Sequence, residues 1–138
     1  MSFAYVGGYT PNGGGIQCFA LDRQTGGLTP LALTSGIADP TRLLILGDRL
    51  YAANRLHDSI ATFAIEGDLR LIGYSATEGS YPRTLVIQGD FLYAMNQRSD
   101  AITVFRLEAG RPRFTGQYIP TGSPAHLAFF DARGVSAG

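Results

Sequence analysis

Arg55 and His57 are two side chains suited to holding an anion and moving a proton, and both lie in one short segment, NRLHDSIATF, at residues 54–63. A guanidinium offers a planar set of donors to phosphate or carboxylate oxygens, and an imidazole acts as a general base or acid. A near-copy, NQRSDAITVF, follows at residues 96–105. The Asn, Asp, Ile and Phe positions recur, whereas Arg and His give way to Gln and Ser. We therefore expect the recurring positions to form scaffold and the exchanged pair to carry function.

The recurring acidic and aromatic residues have a structural interpretation. Asp58 and Asp100 occupy equivalent positions, and aspartates in turns commonly accept hydrogen bonds from backbone amides. We expect both to hold turns rather than to act in catalysis. A set of three tyrosines at equivalent places in the repeats is predicted to lie in the core: Tyr5, Tyr51 and Tyr93.

Other kinds of active site have no support in the sequence. A G-x-S-x-G nucleophile motif is absent, and the glycine cluster at residues 13–15 lacks the Lys-Ser/Thr of a phosphate-binding loop. The two histidines are 69 residues apart and the only cysteine is Cys18, which makes no zinc-binding spacing. Cys18 is expected to pack as a small apolar side chain. We predict no metal and no cofactor.

Charge and hydropathy restrict the partners. The 11 basic and 11 acidic residues cancel, and no block of like charge occurs, so neither nucleic acid nor an anionic membrane surface is an expected partner. No apolar run reaches the roughly 20 residues of a membrane-spanning helix. The first residues lack the pattern of a signal peptide, and a single cysteine fits a reducing compartment. A cytoplasmic location is the expectation.

A repeat of 42 residues predicts the elements that position these side chains. DPTRLLILGDRLYAAN at residues 39–54 aligns with YPRTLVIQGDFLYAMN at residues 81–96. Each unit contains four short apolar runs, and Gly-Asp between the first two indicates a hairpin turn. The runs alternate or cluster without a helical period, so the fold class is all-β.

The two ends of the chain continue the repeat. FAYVGGYT, GIQCFALD and LTPLALTSG match the second, third and fourth strands of a unit, and PAHLAFFD at residues 124–131 matches a first strand. A unit divided between the two ends, with four strands per unit, is typical of a β-propeller. We predict one domain, residues 1–138, of four-stranded antiparallel blades with bounds 3–37 plus 124–131, 39–80 and 81–123. A β-sandwich is the structural alternative.

Three blades are fewer than the roughly four to eight with which propellers close. Open blades would leave sheet edges and apolar faces exposed. We therefore expect either a homo-oligomer that completes the ring or a shortened version of a longer propeller.

The chain resembles the lactonase family of seven-bladed β-propellers, whose bacterial members act as 6-phosphogluconolactonases. YVGGYT, GIQCFALD and TGGLTPL are similar to the first blade of the family, and NRLHDSIATF is similar to a motif of its penultimate blade. YPRTLVI, LYAMNQRSDAITVFRLE and SPAHLAFF resemble the last blade and the closing strand. The resemblance implies hydrolysis of a sugar-phosphate lactone without a cofactor, with a small-molecule lactone or sugar phosphate as partner.

The expected site lies at one mouth of the central channel, where loops after second strands and loops before first strands open together. The chemistry requires a base for water and a donor for the oxyanion. The predicted catalytic residues are His57, Arg55 and Glu78, the last with Pro120 in its slot in the other copy; the predicted substrate-binding residues are Arg83, Arg42, His126, Asn54 and Asn96. The alternative function is a non-catalytic propeller remnant or interaction module.

Overall fold

A computed structural model describes residues 2–8, 15–35, 40–66 and 68–130, and these residues are almost entirely β-strand. Blade A contains β1 (Ser2–Gly8), β2 (Gly15–Leu21) and β3 (Leu28–Ser35). Blade B contains β4 (Pro40–Leu46), β5 (Arg49–Asn54), β6 (Ser59–Glu66) and β7 (Asp68–Ala76). Blade C contains β8 (Pro82–Gln88), β9 (Phe91–Asn96), β10 (Ala101–Glu108) and β11 (Arg111–Pro120), with a 3-10 turn at Gln97–Ser99. The all-β prediction is confirmed. No helix in the described ranges has the length and apolar character to span a membrane.

Each blade is an antiparallel meander in which consecutive strands are neighbours. Gly47 and Gly89 sit in the predicted Gly-Asp hairpins with φ 59°, a left-handed conformation that glycine adopts without strain. Irregularities of register recur at Thr62/Phe63 in blade B and Val104/Phe105 in blade C. The predicted four-strand unit is therefore confirmed in blades B and C, and the register irregularity is an additional feature that the two blades share.

Blade A has three strands, and residues 124–130 carry no strand assignment. This segment lies beside blade C, where the ring of Phe129 is 5.2 Å from that of Tyr93. The predicted pairing of both chain ends in one sheet is not formed among the described residues. The reason is geometric, because blades A and C lie on opposite sides of blade B and the ring stays open. The predicted bounds 36–37, 39 and 131 and glycines 13–14 fall outside the described residues.

Blade B buries both of its faces because successive side chains of a strand point to opposite sides. Leu50 and Phe63 on one face pack with Ile16 of blade A. Tyr51 on the other face packs with Leu85 and other residues of blade C. Burying one such large apolar side chain contributes roughly 1.5–3 kcal/mol. Stacking of sheet on sheet is thus the main source of cohesion.

Hydrogen bonds between blades B and C also fix the position of one sheet relative to the other. The Tyr51 hydroxyl donates to the carbonyl of Gly110 at 2.7 Å, and Ser75 Oγ donates to the carbonyl of Pro112 at 3.2 Å. Tyr51 is 1% exposed, which confirms its predicted place in the core. A buried hydrogen bond between two sheets fixes their relative position as well as contributing stability.

We predict that Tyr51→Phe lowers the free energy of unfolding by about 1–2 kcal/mol, because it removes the donor and leaves the Gly110 carbonyl without its partner. Urea denaturation monitored by circular dichroism measures the change. Tyr74→Phe is the control, since Tyr74 is half exposed on β7, and we expect less than about 0.5 kcal/mol for it. Equal effects of the two substitutions would contradict the proposed role of the Tyr51 hydroxyl.

Candidate functional site

A cavity of about 430 Å³ opens where the first strands of the repeats begin. A buried proline starts each of these stretches, at Pro40, Pro82 and Pro124. The next two residues of all three repeats line the cavity, so equivalent positions converge on one space. We call it the channel cavity; its lining residues are Thr41, Arg42, Arg83, Thr84, Ala125 and His126.

The chemistry of the channel cavity is cationic and polar. Arg42 and Arg83 contribute guanidinium groups and His126 contributes an imidazole, and all three residues are exposed. No carboxylate is among the residues that line it. Guanidinium groups bind carboxylate and phosphate oxygens through paired hydrogen bonds. The cavity therefore suits an anionic or oxygen-rich ligand.

An apolar groove of about 410 Å³ continues from this cavity along β4 and β8. Arg42 and His126 line both spaces, so they stand at the junction. The other lining residues are aliphatic: Leu44, Ile45, Leu46, Leu85, Val86, Ile87 and Leu127. A polar end joined to an apolar wall is the usual composition of a small-molecule site.

Arg55, His57 and Glu78 lie in loops at the same end of the molecule, since Pro40 at the start of β4 pairs with Asn54 at the end of β5. None of the three lines the channel cavity. His57 and Glu78 are exposed, and Glu78 has the left-handed φ of 59°. Arg55 is half-buried, with its guanidinium 5.4 Å from the centre of the Tyr81 ring. The structure thus places the three predicted catalytic residues outside the channel cavity, in loops at the same end of the molecule that we call the rim.

Tyr81 is held by a contact that recurs in both repeats. The Asp58 carboxylate accepts a hydrogen bond from the Tyr81 N–H at 2.7 Å, and the Asp100 carboxylate accepts one from the Ser123 N–H at 2.8 Å. All four residues have positive φ. The prediction that Asp58 and Asp100 bond turn amides is confirmed.

Backbone bonds also correct the alignment around Glu78. The Thr77 N–H donates to the carbonyl of Asp58, and the Thr121 N–H donates to the carbonyl of Asp100. Thr77 is therefore equivalent to Thr121, and the slot of Glu78 is filled by Gly122 rather than Pro120. A constant offset of 42 residues failed here because the second copy has two more residues between Asp100 and Thr121 than the first has between Asp58 and Thr77. The connection that follows, to Pro124, is two residues shorter and restores the offset.

Asn54 and Asn96 lie inside the blades. Asn96 is fully buried, and its amide donates to Thr103 Oγ1 at 2.8 Å; Asn54 is 2% exposed and donates to Ser59 Oγ at 3.2 Å. Neither side chain lines the channel cavity. Their burial places them in the scaffold, where they tie the end of one strand to the start of the next.

The sequence analysis missed Thr41, Thr84, Tyr81 and Arg98. Thr41 and Thr84 occupy the two post-proline positions that Arg42, Arg83 and His126 also occupy, so the repeat itself contained the signal. The Arg98 guanidinium lies 4.0 Å from the centre of the Tyr81 ring. The residue equivalent to Arg98 is Leu56, so comparison of the copies gives no hint of that contact.

A second space of about 520 Å³ lies at the opposite end, between the hairpin turns of blades B and C. Its charges are partly neutralised, because Asp48 pairs with Arg49 at 3.1 Å. Burial raises the pKa of the Tyr51 phenol there, and the charge of Arg49 offsets part of the rise.

The described residues contain no group of three His, Cys, Asp or Glu side chains able to hold a metal ion. The channel cavity remains the stronger candidate.

Comparison with known proteins agrees with the β-propeller fold. A family model described as "Lactonase, 7-bladed beta-propeller" matches residues 3–54 and 46–129. Among solved structures, the periplasmic gluconolactonase PpgL of Pseudomonas aeruginosa is 28% identical with a TM-score of 0.80, over 94% of this chain and 39% of that one. A putative 6-phosphogluconolactonase of Bacteroides fragilis is 28% identical with a TM-score of 0.71, over 80% of this chain and 33% of that one. No curated protein matches the chain by sequence. The chain spans less than two fifths of the length of these two structures.

We predict that Asp58→Ala lowers the free energy of unfolding by about 2 kcal/mol, because it removes a charged acceptor and places alanine at a left-handed φ. Asp58→Asn should cost less than half as much, since its amide oxygen still accepts a hydrogen bond and asparagine tolerates that φ. Urea denaturation of both variants measures this difference. Equal losses, or no loss in either, would contradict the role assigned to the carboxylate.

Proposed function

Because the chain belongs to the lactonase family of seven-bladed β-propellers, we propose that it hydrolyses a sugar lactone in the channel cavity. The observation that carries this proposal is the meeting of Arg42, Arg83 and His126, from three successive repeats, around one space. The names of the two solved structures at 28% identity, a gluconolactonase and a putative 6-phosphogluconolactonase, support the same reaction class.

The reaction requires activation of water and stabilisation of an oxyanion. In our proposal the His126 imidazole accepts a proton from water as the water oxygen bonds to the carbonyl carbon of the lactone. Arg42, which lines the cavity with His126, donates hydrogen bonds to the oxygen that becomes negative. Collapse of this intermediate breaks the ring C–O bond. The imidazolium returns its proton to the leaving alkoxide, and the product is the open hydroxy acid.

The proposed substrate is a phosphorylated sugar lactone of the 6-phosphogluconolactone type. Two guanidinium groups in one cavity exceed what a neutral lactone needs for its oxyanion. Arg83 and Arg42 belong to different blades, so Arg83 can hold the phosphate while Arg42 faces the carbonyl. A phosphate oxygen accepts paired hydrogen bonds from a guanidinium fork, which gives both affinity and orientation.

Assignment of the base to His126 changes the sequence-based hypothesis, which gave this role to His57 or Glu78. His126 lines the cavity together with both arginines, whereas His57 and Glu78 are exposed in loops and do not line it. A base has to come within hydrogen-bonding reach of the attacking water. Arg55 then serves as a rim residue, held against Tyr81.

A non-catalytic role is the second candidate function, and the observation that favours it is that no carboxylate lines the channel cavity, so His126 is the single lining side chain able to act as a base. PpgL is described as periplasmic, whereas a cytoplasmic location is the expectation from the sequence of this chain. That expectation stays a prediction, and fractionation of cells that express the chain tests it.

We predict that Arg83→Ala and Arg42→Ala each reduce kcat/KM for 6-phosphogluconolactone by about 10–100-fold, the loss of one charged hydrogen-bonded contact. Arg83→Ala, which removes the proposed phosphate contact, should lose much less activity with unphosphorylated gluconolactone than with the phosphorylated substrate. Arg113→Ala is the control, because Arg113 lies on the outermost strand, β11, where it pairs with Glu108 of β10 far from the cavity lining. Wild-type protein that binds 6-phosphogluconate in calorimetry without hydrolysing the lactone would support the non-catalytic candidate. Activity unchanged in both variants would contradict the channel cavity as the site.

We predict further that His126→Gln lowers kcat by roughly 10²–10⁴-fold, the usual contribution of general base catalysis, while His57→Gln and Glu78→Gln change it by less than about threefold. Glutamine retains hydrogen-bonding groups but cannot move a proton at neutral pH. Initial rates of the three variants measured at saturating substrate test this. A larger loss of kcat in His57→Gln or Glu78→Gln than in His126→Gln would assign the proton transfer to that loop residue instead.

A further inference from the structure

Blade A presents a free edge next to the channel. Among the described residues, β1 pairs with β2 alone, although its counterpart β5 lies between two partners, β4 and β6. A strand with one unpaired side offers a row of N–H and C=O groups to another chain. The missing neighbour is the equivalent of β4, a first strand.

Residues 124–130 are a first strand without a sheet. They align with Pro40–Leu46 of β4 but carry no strand pairing. Their position is already that of a first strand in the next blade, because Ala125 and His126 line the channel cavity beside Arg83 and Thr84 of β8. Phe129 packs on Tyr93 of blade C, as Leu43 of β4 packs in the same cluster as Tyr5 of blade A.

The face of blade A that points away from blade B is apolar and open. Register places Val6 and Leu33 on that face, opposite Gln17, while Tyr5 and Cys18 point to blade B. Val6 is 47% and Leu33 is 55% exposed. In blade B the equivalent face, with Leu50 and Phe63, is fully buried against the preceding blade.

We propose that two copies of this chain close head to tail into a six-bladed ring, in which residues 124–130 of each copy pair with β1 of the other. The segment supplies the fourth strand of blade A, and blade C covers the open apolar face. Six blades lie within the range in which propellers close, and a twofold axis along the channel makes both interfaces identical. His126 of each copy then joins the mouth of one channel. The inference rests on the fold and does not require lactonase activity.

The repeat fixes the register of this pairing. In blade B, Leu43 faces Ala52 and Ile45 faces Leu50. The same offset makes Leu127 face Val6 and Phe129 face Ala4 across the two copies. Ala128, one residue along, would point to the opposite side of the sheet from Val6.

Cysteine pairs test both the partner and the register. In a Cys18→Ala background, we expect oxidation of Val6→Cys/Leu127→Cys to give a covalent species of twice the mass of one chain. Val6→Cys/Ala128→Cys is the register control and should cross-link at least about tenfold less, because facing residues alone meet disulfide geometry. A link within one chain, or equal linking in both variants, would overturn the proposal.

Sedimentation of the unmodified chain measures the association itself. We expect a dimer, and we expect Leu127→Pro or Ala128→Pro to raise its dissociation constant by about tenfold or more, because consecutive N–H groups of a strand alternate in direction and proline removes one. A monomer at all concentrations, or a dimer unaffected by both prolines, would overturn the inference. A dimer without hydrolytic activity would leave it intact and contradict only the proposed function.

Discussion

The constraint on which this molecule depends is that every blade has two apolar faces and both need cover. A strand sends alternate side chains to opposite sides, and in β5 both sets are apolar, so blade B is stable only between two other sheets. Ile16 covers one face and Leu85 the other. A single sheet of this composition would expose most of the apolar side chains that it now buries, so one repeat would not fold stably on its own.

The same stacking creates the candidate site. When similar sheets pack face to face around an axis, the first residues of their inner strands come side by side, and each repeat contributes the same two positions after its proline. The scaffold dictates only where these side chains lie, not what they are. Thr41, Arg83 and Ala125 share one position, and Arg42, Thr84 and His126 share the other. Chemistry therefore enters through differences between copies, at points where the backbone is the same.

Much of this was available from the sequence because it depends on local patterns. The Gly-Asp turns, the alternating strands and the convergence of Arg42, Arg83 and His126 follow from a repeat and its period. The burial of Asn54 and Asn96 did not follow, since an Asn beside a loop looks equally suited to solvent and to a strand end. Neither did the equivalence of Glu78 with Gly122, because a two-residue difference between copies appears only when backbone hydrogen bonds identify the partners.

The rim shows a deeper reason for what the sequence concealed. Arg55 and Arg98 come from different copies and from positions that do not correspond, yet both guanidinium groups lie over one ring, that of Tyr81. Cation–π attraction gives each contact a favourable energy, and the Asp58 carboxylate fixes the backbone of the tyrosine. The two arginines form one basic surface because the blade B loop that carries Arg55 and the blade C turn that carries Arg98 both border Tyr81. Alignment of the copies compares like positions, whereas contact between blades joins unlike ones, so this feature becomes visible only when the sheets are stacked.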